Sequence, residues 1–205
     1  LEFRRVLFRS KSKSSTPYGV IYGEGVWKWK KTEFMKQQKA MLKSMKLTAA
    51  NVQAIMGDLL TNRATTLPMV GVMALYYNKT IWVVAEEAKI YLEYRARPEV
   101  VDPTADSICV VYYNKRGGGG GVRNGKGSYS CEEDPTDDII QHIKDTMWKC
   151  ESWEKPLKGS SNYKVSELEE IAERIGLSKT NHEDKKLKKG DLYSAIEVRC
   201  ATAFL

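Results

Sequence analysis

Few side chains in this sequence could do covalent or metal chemistry. They are Cys109, Cys131, Cys150 and Cys200, with His142 and His182 as the only imidazoles. A thiol nucleophile needs a general base within hydrogen-bond reach, and no local motif ties either histidine to a cysteine. The cysteines lie 22, 19 and 50 residues apart, without a Cys-x-x-Cys pair. Zinc-ligand spacing is therefore missing, and no metal or other cofactor is expected. A chain with 42% hydrophobic residues can build its core without disulfides, so the cysteines read as reduced, structural and intracellular. His142 falls between Ile140 and Ile143 of a predicted helix, where a structural imidazole is expected. Gly120-Gly121-Val122-Arg123-Asn124-Gly125-Lys126-Gly127 approaches a phosphate-cradling P-loop. However, Gly127 stands where Ser or Thr belongs, and no helix is predicted after it. It reads as a flexible connection between strands. Glu132-Glu133-Asp134 and Asp137-Asp138 flank a predicted helix start, where the macrodipole favours negative charge without any acid–base role. No catalytic residue is assigned.

The basic residues remain. Lys179, Lys185, Lys186, Lys188 and Lys189, with Lys164 upstream, crowd one C-terminal region. Ammonium groups in such a cluster position a protein on phosphates without reading sequence. Glu167, Glu169, Glu170, Glu173, Glu183, Asp184 and Asp191 lie close by, so a solvated charged face is the competing reading. Near the start, Trp27-Lys28-Trp29-Lys30-Lys31 interleaves indoles with ammonium groups. That suits base stacking with charge neutralisation, although tryptophans two apart on a strand also suit a core. The formal charge is +7, and residues 1–48 alone hold twelve Lys/Arg against three Asp/Glu. Leu1-Glu2-Phe3-Arg4-Arg5-Val6-Leu7-Phe8-Arg9-Ser10 reads as the translated reverse strand of a sequencing adapter, which would place the true N-terminus outside this sequence.

The elements that must hold these groups follow from periodicity. With 205 residues and five Trp and eleven Tyr, the chain suits one folded domain, or one with a small appendage. No apolar run reaches the roughly 18–20 residues that span a bilayer. Residues 1–17 are expected to form an artefactual or flexible arm. Helical spacing begins at Lys31. Thr48 is placed to cap a helix carrying Val52, Ile55, Met56, Leu59 and Leu60, and Pro68 opens another that Asn78 ends. Three strands follow, over 80–84, 89–94 and 107–113, the first two as a hairpin. The third is apolar enough to lie near the sheet centre, and a fourth surrounds Ser128–Cys131. Thr136 or Asp137 then caps a helix through Ile139, Ile140, Ile143, Met147 and Trp148. The predicted class is α+β: helices, then a small mainly antiparallel sheet and a helix over 18–152, a linker over 153–162, and a two-helix unit over 163–200. In that unit Ser166-Glu167-Leu168-Glu169 reads as a capping box. Leu168, Ile171, Ala172 and Ile175 make one stripe, Gly176-Leu177 closes the helix, and a second helix spans Leu187–Ile196.

Tyr163-Lys164-Val165-Ser166-Glu167-Leu168-Glu169-Glu170-Ile171-Ala172-Glu173-Arg174-Ile175-Gly176-Leu177, with Lys188-Lys189-Gly190-Asp191-Leu192-Tyr193-Ser194-Ala195-Ile196, resembles the SAP and Rho N-terminal two-helix motifs. The resemblance covers about 35 residues and rests on Leu168, Ile171, Gly176-Leu177, Lys189 and Leu192. It implies DNA or RNA as partner, contacted by basic loop residues and the start of the second helix. Leu47 to Tyr94, around Val70–Val84, together with the two-helix tail, is similar to a family of proteins encoded by giant nucleocytoplasmic large DNA viruses of algae. That likeness implies an origin rather than an activity, with host cytoplasm, nucleus or virion as the location. The Met69–Val84 step is similar to one in OTU-type cysteine peptidases, whose Asp-Gly-x-Cys motif is absent from these residues. The expected function is that of a non-enzymatic viral protein with a nucleic-acid-binding C-terminal helix–loop–helix and no membrane contact. The alternatives are an N-terminally truncated OTU-like peptidase, or a structural subunit that binds another viral protein.

Overall fold

The computed structural model describes residues 49–61, 67–95, 108–114, 128–180 and 185–204. The arm over 1–17, Trp27-Lys28-Trp29-Lys30, the Thr48 cap and the Gly120–Gly127 segment all lie outside them. In chain order the elements are α1 (Ala49–Thr61), α2 (Leu67–Tyr77), β1 (Thr80–Ala85), a 3-10 turn (Glu86–Ala88), β2 (Ile90–Tyr94), β3 (Ile108–Asn114), β4 (Ser128–Glu133), α3 (Asp137–Thr146), β5 (Trp148–Cys150), a second 3-10 turn (Ser160–Asn162), α4 (Val165–Arg174) and α5 (Lys189–Thr202). Helices and a five-stranded mixed sheet make this an α+β fold, with strand order β4-β3-β1-β2-β5. Two compact units divide the chain, with boundaries after Ile81 in β1, after Glu93 in β2 and after Ile108 in β3.

In the first unit α1 packs against α2. Ile55 is buried, as is the run Met69–Leu75 of α2. Pro68 sits in the first turn of α2, where a missing N–H costs nothing. The helix ends on Asn78 in the left-handed region (φ 50°). The Asn78 N–H donates to the Leu75 carbonyl at 3.2 Å and the Lys79 N–H to that of Ala74 at 3.0 Å. This is a Schellman closure with asparagine in the glycine position.

The second unit holds most of the sheet. β1 is buried along its whole length and occupies the sheet centre. β3, expected near the centre, lies beside it. The four-residue connection between the neighbouring strands β1 and β2 permits only an antiparallel turn. It closes on Lys89 in the left-handed region (φ 53°). β3 and β4 pair antiparallel with Val111 opposite Cys131 and Tyr113 opposite Tyr129. The strand β4 follows residues 120–127 directly, so the Gly-rich segment is not succeeded by the helix a P-loop requires.

The predicted helix through Trp148 needs correcting. α3 stops at Thr146, and Met147 turns extended (φ −119°, ψ 153°). Trp148–Cys150 becomes a strand parallel to β2, with Ile90 opposite Trp148 and Leu92 opposite Cys150. The Trp148 N–H donates to the Lys89 carbonyl at 2.8 Å, a sheet bond that outcompetes one more helical turn. His142 also differs from expectation. Ile140 and Ile143 take the buried face of α3, and the imidazole is exposed.

The stretch read as a linker is tied down by hydrogen bonds. The Glu151 N–H donates to Pro156 O at 3.0 Å and the Ser152 N–H to Lys155 O at 3.1 Å. The Lys158 peptide is held at both ends. Its N–H donates to the Tyr163 hydroxyl at 3.1 Å, and its carbonyl accepts from the Tyr193 hydroxyl at 2.9 Å.

Candidate nucleic-acid interface

The two C-terminal helices pack against each other. Leu168, Ile171, Ala172 and Ile175 of the first segment and Leu192, Ile196 and Cys200 of α5 are all buried. The stripe at 192, 196 and 200 runs one turn past the predicted end, which is why α5 continues to Thr202 instead of stopping at Ile196. Its start is also later than predicted, at Lys189 instead of Leu187. Leu187 instead donates its N–H to Lys179 O at 2.9 Å, and Thr180 bridges Lys186 antiparallel.

α4 begins two residues before the expected box. Its N-cap is Lys164, and Ser166 lies inside the helix. The Glu167 carboxylate accepts the Lys164 N–H at 2.6 Å, so the back-reaching acid is Glu167 rather than Glu169. The end matches expectation. Gly176 adopts φ +72°, its N–H donates to Glu173 O at 3.0 Å, and the Leu177 N–H donates to Ala172 O at 2.7 Å. Arg174, in the last turn, extends to the carbonyls of Lys144 and Asp145 at 3.2 and 2.8 Å. A guanidinium thereby meets the carbonyl end of α3, where the dipole favours it.

Of the six lysines singled out in this region, five separate into two groups. Lys179 lies 2.6 Å from the Glu173 carboxylate, and Lys186 lies 3.9 Å from that of Glu169. The Lys179 hydrogen bond and charge hold Glu173 below the usual carboxylate range, and the same hydrogen bond raises Lys179. Lys164, Lys185, Lys186 and Lys188 are exposed, and Lys179 and Lys189 are half-exposed. No ion pair holds Lys164, Lys188 or Lys189 among the described residues. Lys188 is the N-cap of α5 (φ −69°, ψ 158°) and supplies no side-chain cap, and Lys189 is the first helical residue. The only acid in the first turn is Asp191. Four lysines, at 185, 186, 188 and 189, thus precede or open a 14-residue helix at its positive end. Cations are electrostatically disfavoured at such an end, and an arriving anion would be favoured.

Sequence reasoning missed how the thiols pair. Cys109 on β3 and Cys131 on β4 bring their sulfurs to 3.0 Å. Cys150 on β5 and Cys200 on α5 share a hydrogen bond that, with burial, raises the Cys150 thiol far above its ordinary range. Among the described residues the thiols therefore face one another and not an imidazole; His182 lies outside those residues. The signal that could have found them is weak, because the pairs form only once sheet order and helix placement are known. No group of three or more His, Cys, Asp or Glu suited to a metal occurs among the described residues. Nor, among these, is any helix long and apolar enough to cross a membrane. No family model, curated protein or solved structure matches the chain.

Proposed function

We propose that the C-terminal helix–loop–helix binds the phosphate backbone of DNA or RNA, in a protein of giant-virus origin that does no covalent chemistry of its own. Lys188 and Lys189 make the central contact, and Lys164, Lys179, Lys185 and Lys186 surround it. The observation that carries this reading is the start of α5. There a lysine N-cap and a lysine first residue stand at a helix terminus that electrostatics would fill with acids. A phosphate group relieves that conflict, since it takes the amide dipoles and the ammonium charges together. Glu173 and Glu169 hold Lys179 and Lys186 in the absence of ligand. They set a threshold that a polyanion must exceed.

The test is fluorescence anisotropy of the full chain with a short labelled duplex and a labelled single strand, over about 50–200 mM salt. Binding is expected to weaken with a log–log slope of about 3 to 5. Replacing Lys188 and Lys189 with glutamate should reduce that slope by about two and affinity at least about tenfold. The same change should leave thermal stability level or higher, because glutamate suits a helix start. Binding that ignores salt, or a double variant that binds like the parent, would overturn the proposal.

A further inference from the structure

We propose that Cys109 and Cys131 form a reversible dithiol–disulfide couple that fastens edge strand β4 to β3 when the protein meets an oxidising small-molecule disulfide such as oxidised glutathione. The geometry is specific to this pair. Cys109 stands opposite Glu133 and Cys131 opposite Val111, so the two cysteines are diagonal neighbours on one face of the ladder. The same face carries Tyr113 and Tyr129, whose ring centroids are 5.0 Å apart. The 3.0 Å between the sulfurs leaves about 1 Å to close to bonding distance. β4 can supply that movement, because among the described strands it ends the sheet and neighbours β3 alone.

Access separates this pair from the other. Cys109 is 1% exposed, but Cys131 is only half-buried. Cys150 and Cys200 are 2% and 3% exposed, so neither offers a sulfur to solvent. The exchange balances in two steps. The Cys131 thiolate attacks one sulfur of the oxidant, forming a mixed disulfide and releasing one thiolate. The adjacent Cys109 sulfur, losing its proton to solvent, then attacks the Cys131 sulfur and releases the second thiolate. Two protein thiols lose two electrons and two protons, and one small disulfide becomes two thiols. The product closes a covalent loop around the 21 residues between the cysteines, the Gly120–Gly127 sequence included.

The experiment uses the unmodified full chain, incubated with excess oxidised glutathione at a pH of about 8, where thiolate is populated. Exposed thiols are alkylated, the protein is unfolded, and the rest are alkylated with a second reagent of different mass before peptide mapping. The expected result is one linked peptide joining Cys109 to Cys131, while Cys150 and Cys200 carry only the second reagent. Dithiothreitol should reverse the link, and the oxidised form should melt about 5–10 °C higher. Cys109→Ser should strand Cys131 as a lasting mixed disulfide, and Cys131→Ser should leave Cys109 reduced. A parent protein whose Cys131 remains glutathionylated, whose cysteines link in other combinations or between chains, or whose four thiols stay reduced would overturn the inference.

Discussion

Lys179 and Glu173 show how far a residue's neighbours redirect it. The lysine belongs to the basic cluster by sequence, yet its ammonium group rests on a carboxylate six positions upstream. Six is not a helical neighbour spacing. The contact exists because the chain reverses at Gly176, whose φ of +72° turns residues 177–179 back beside α4. Both acid and base were visible in the sequence, but their meeting depended on that turn. The pair has a defined pH signature. Glu173 is held below its ordinary range, so its share of the stabilisation is present above the unfolded carboxylate value and lost as acid protonates it. Lys179 is raised, so its share is complete below the unfolded lysine value and lost as the pH climbs past the folded one. Both groups are on the surface, where salt screens them and the stabilisation is small. The useful readout is therefore the titration of the Glu173 carboxyl carbon by NMR. Its midpoint should lie below the ordinary carboxylate range, rise toward that range in Lys179→Gln, and rise also with added salt. A Glu173 midpoint unmoved by Lys179→Gln would show that the ion pair does not persist in solution.

Elements were legible wherever a residue type fixes a backbone conformation. Asn78 and Gly176 mark helix ends because few residues accept a left-handed φ, and both ends form Schellman closures. The start of α4 was harder. By residue type Ser166 and Glu169 fit the capping pattern, and nothing in the local sequence marks Lys164 as the cap. The acid that reaches back is Glu167, to the Lys164 amide. β5 was illegible for another reason, since three residues carry no readable period and its partner β2 lies more than fifty residues away in sequence. Arg174 belongs to this scale too, because it caps an element other than its own. Its guanidinium donates to Lys144 O and Asp145 O, the open carbonyls of α3. Arg174→Met keeps the aliphatic stem and removes both charge-assisted bonds. The expected cost is about 1 kcal/mol in denaturant unfolding, below the usual range for such bonds because Arg174 is exposed. Hydrogen exchange should quicken at the last turn of α3, while the amides of β1 stay protected. Equal loosening of both would mean that the contact is not local.

At the scale of the whole chain the charge is divided unevenly, and that division was readable before any fold. Residues 1–48 carry twelve cations against three anions, whereas residues 49–205 carry 21 against 23. Sheet order was not readable, because β1 becomes central only through pairings with strands from both sides. The candidate interface was half readable. The basic cluster was plain, but its split into lysines held by carboxylates and lysines at the α5 start needed the fold. If the C-terminal lysines meet phosphates, Trp27 and Trp29 in the cationic quarter have a distinct task. Ammonium groups neutralise single and double strands alike, but an indole can stack only on a base that is out of its duplex. Replacing Trp27 and Trp29 with alanine should therefore weaken single-strand binding by about tenfold or more. Duplex affinity and the salt slope should stay as in the parent, since no charge has changed. Anisotropy titrations with the same labelled strand, alone and annealed, make the comparison. An equal loss for both forms would assign these tryptophans to the core, and no loss for either would leave the C-terminal lysines as the whole interface.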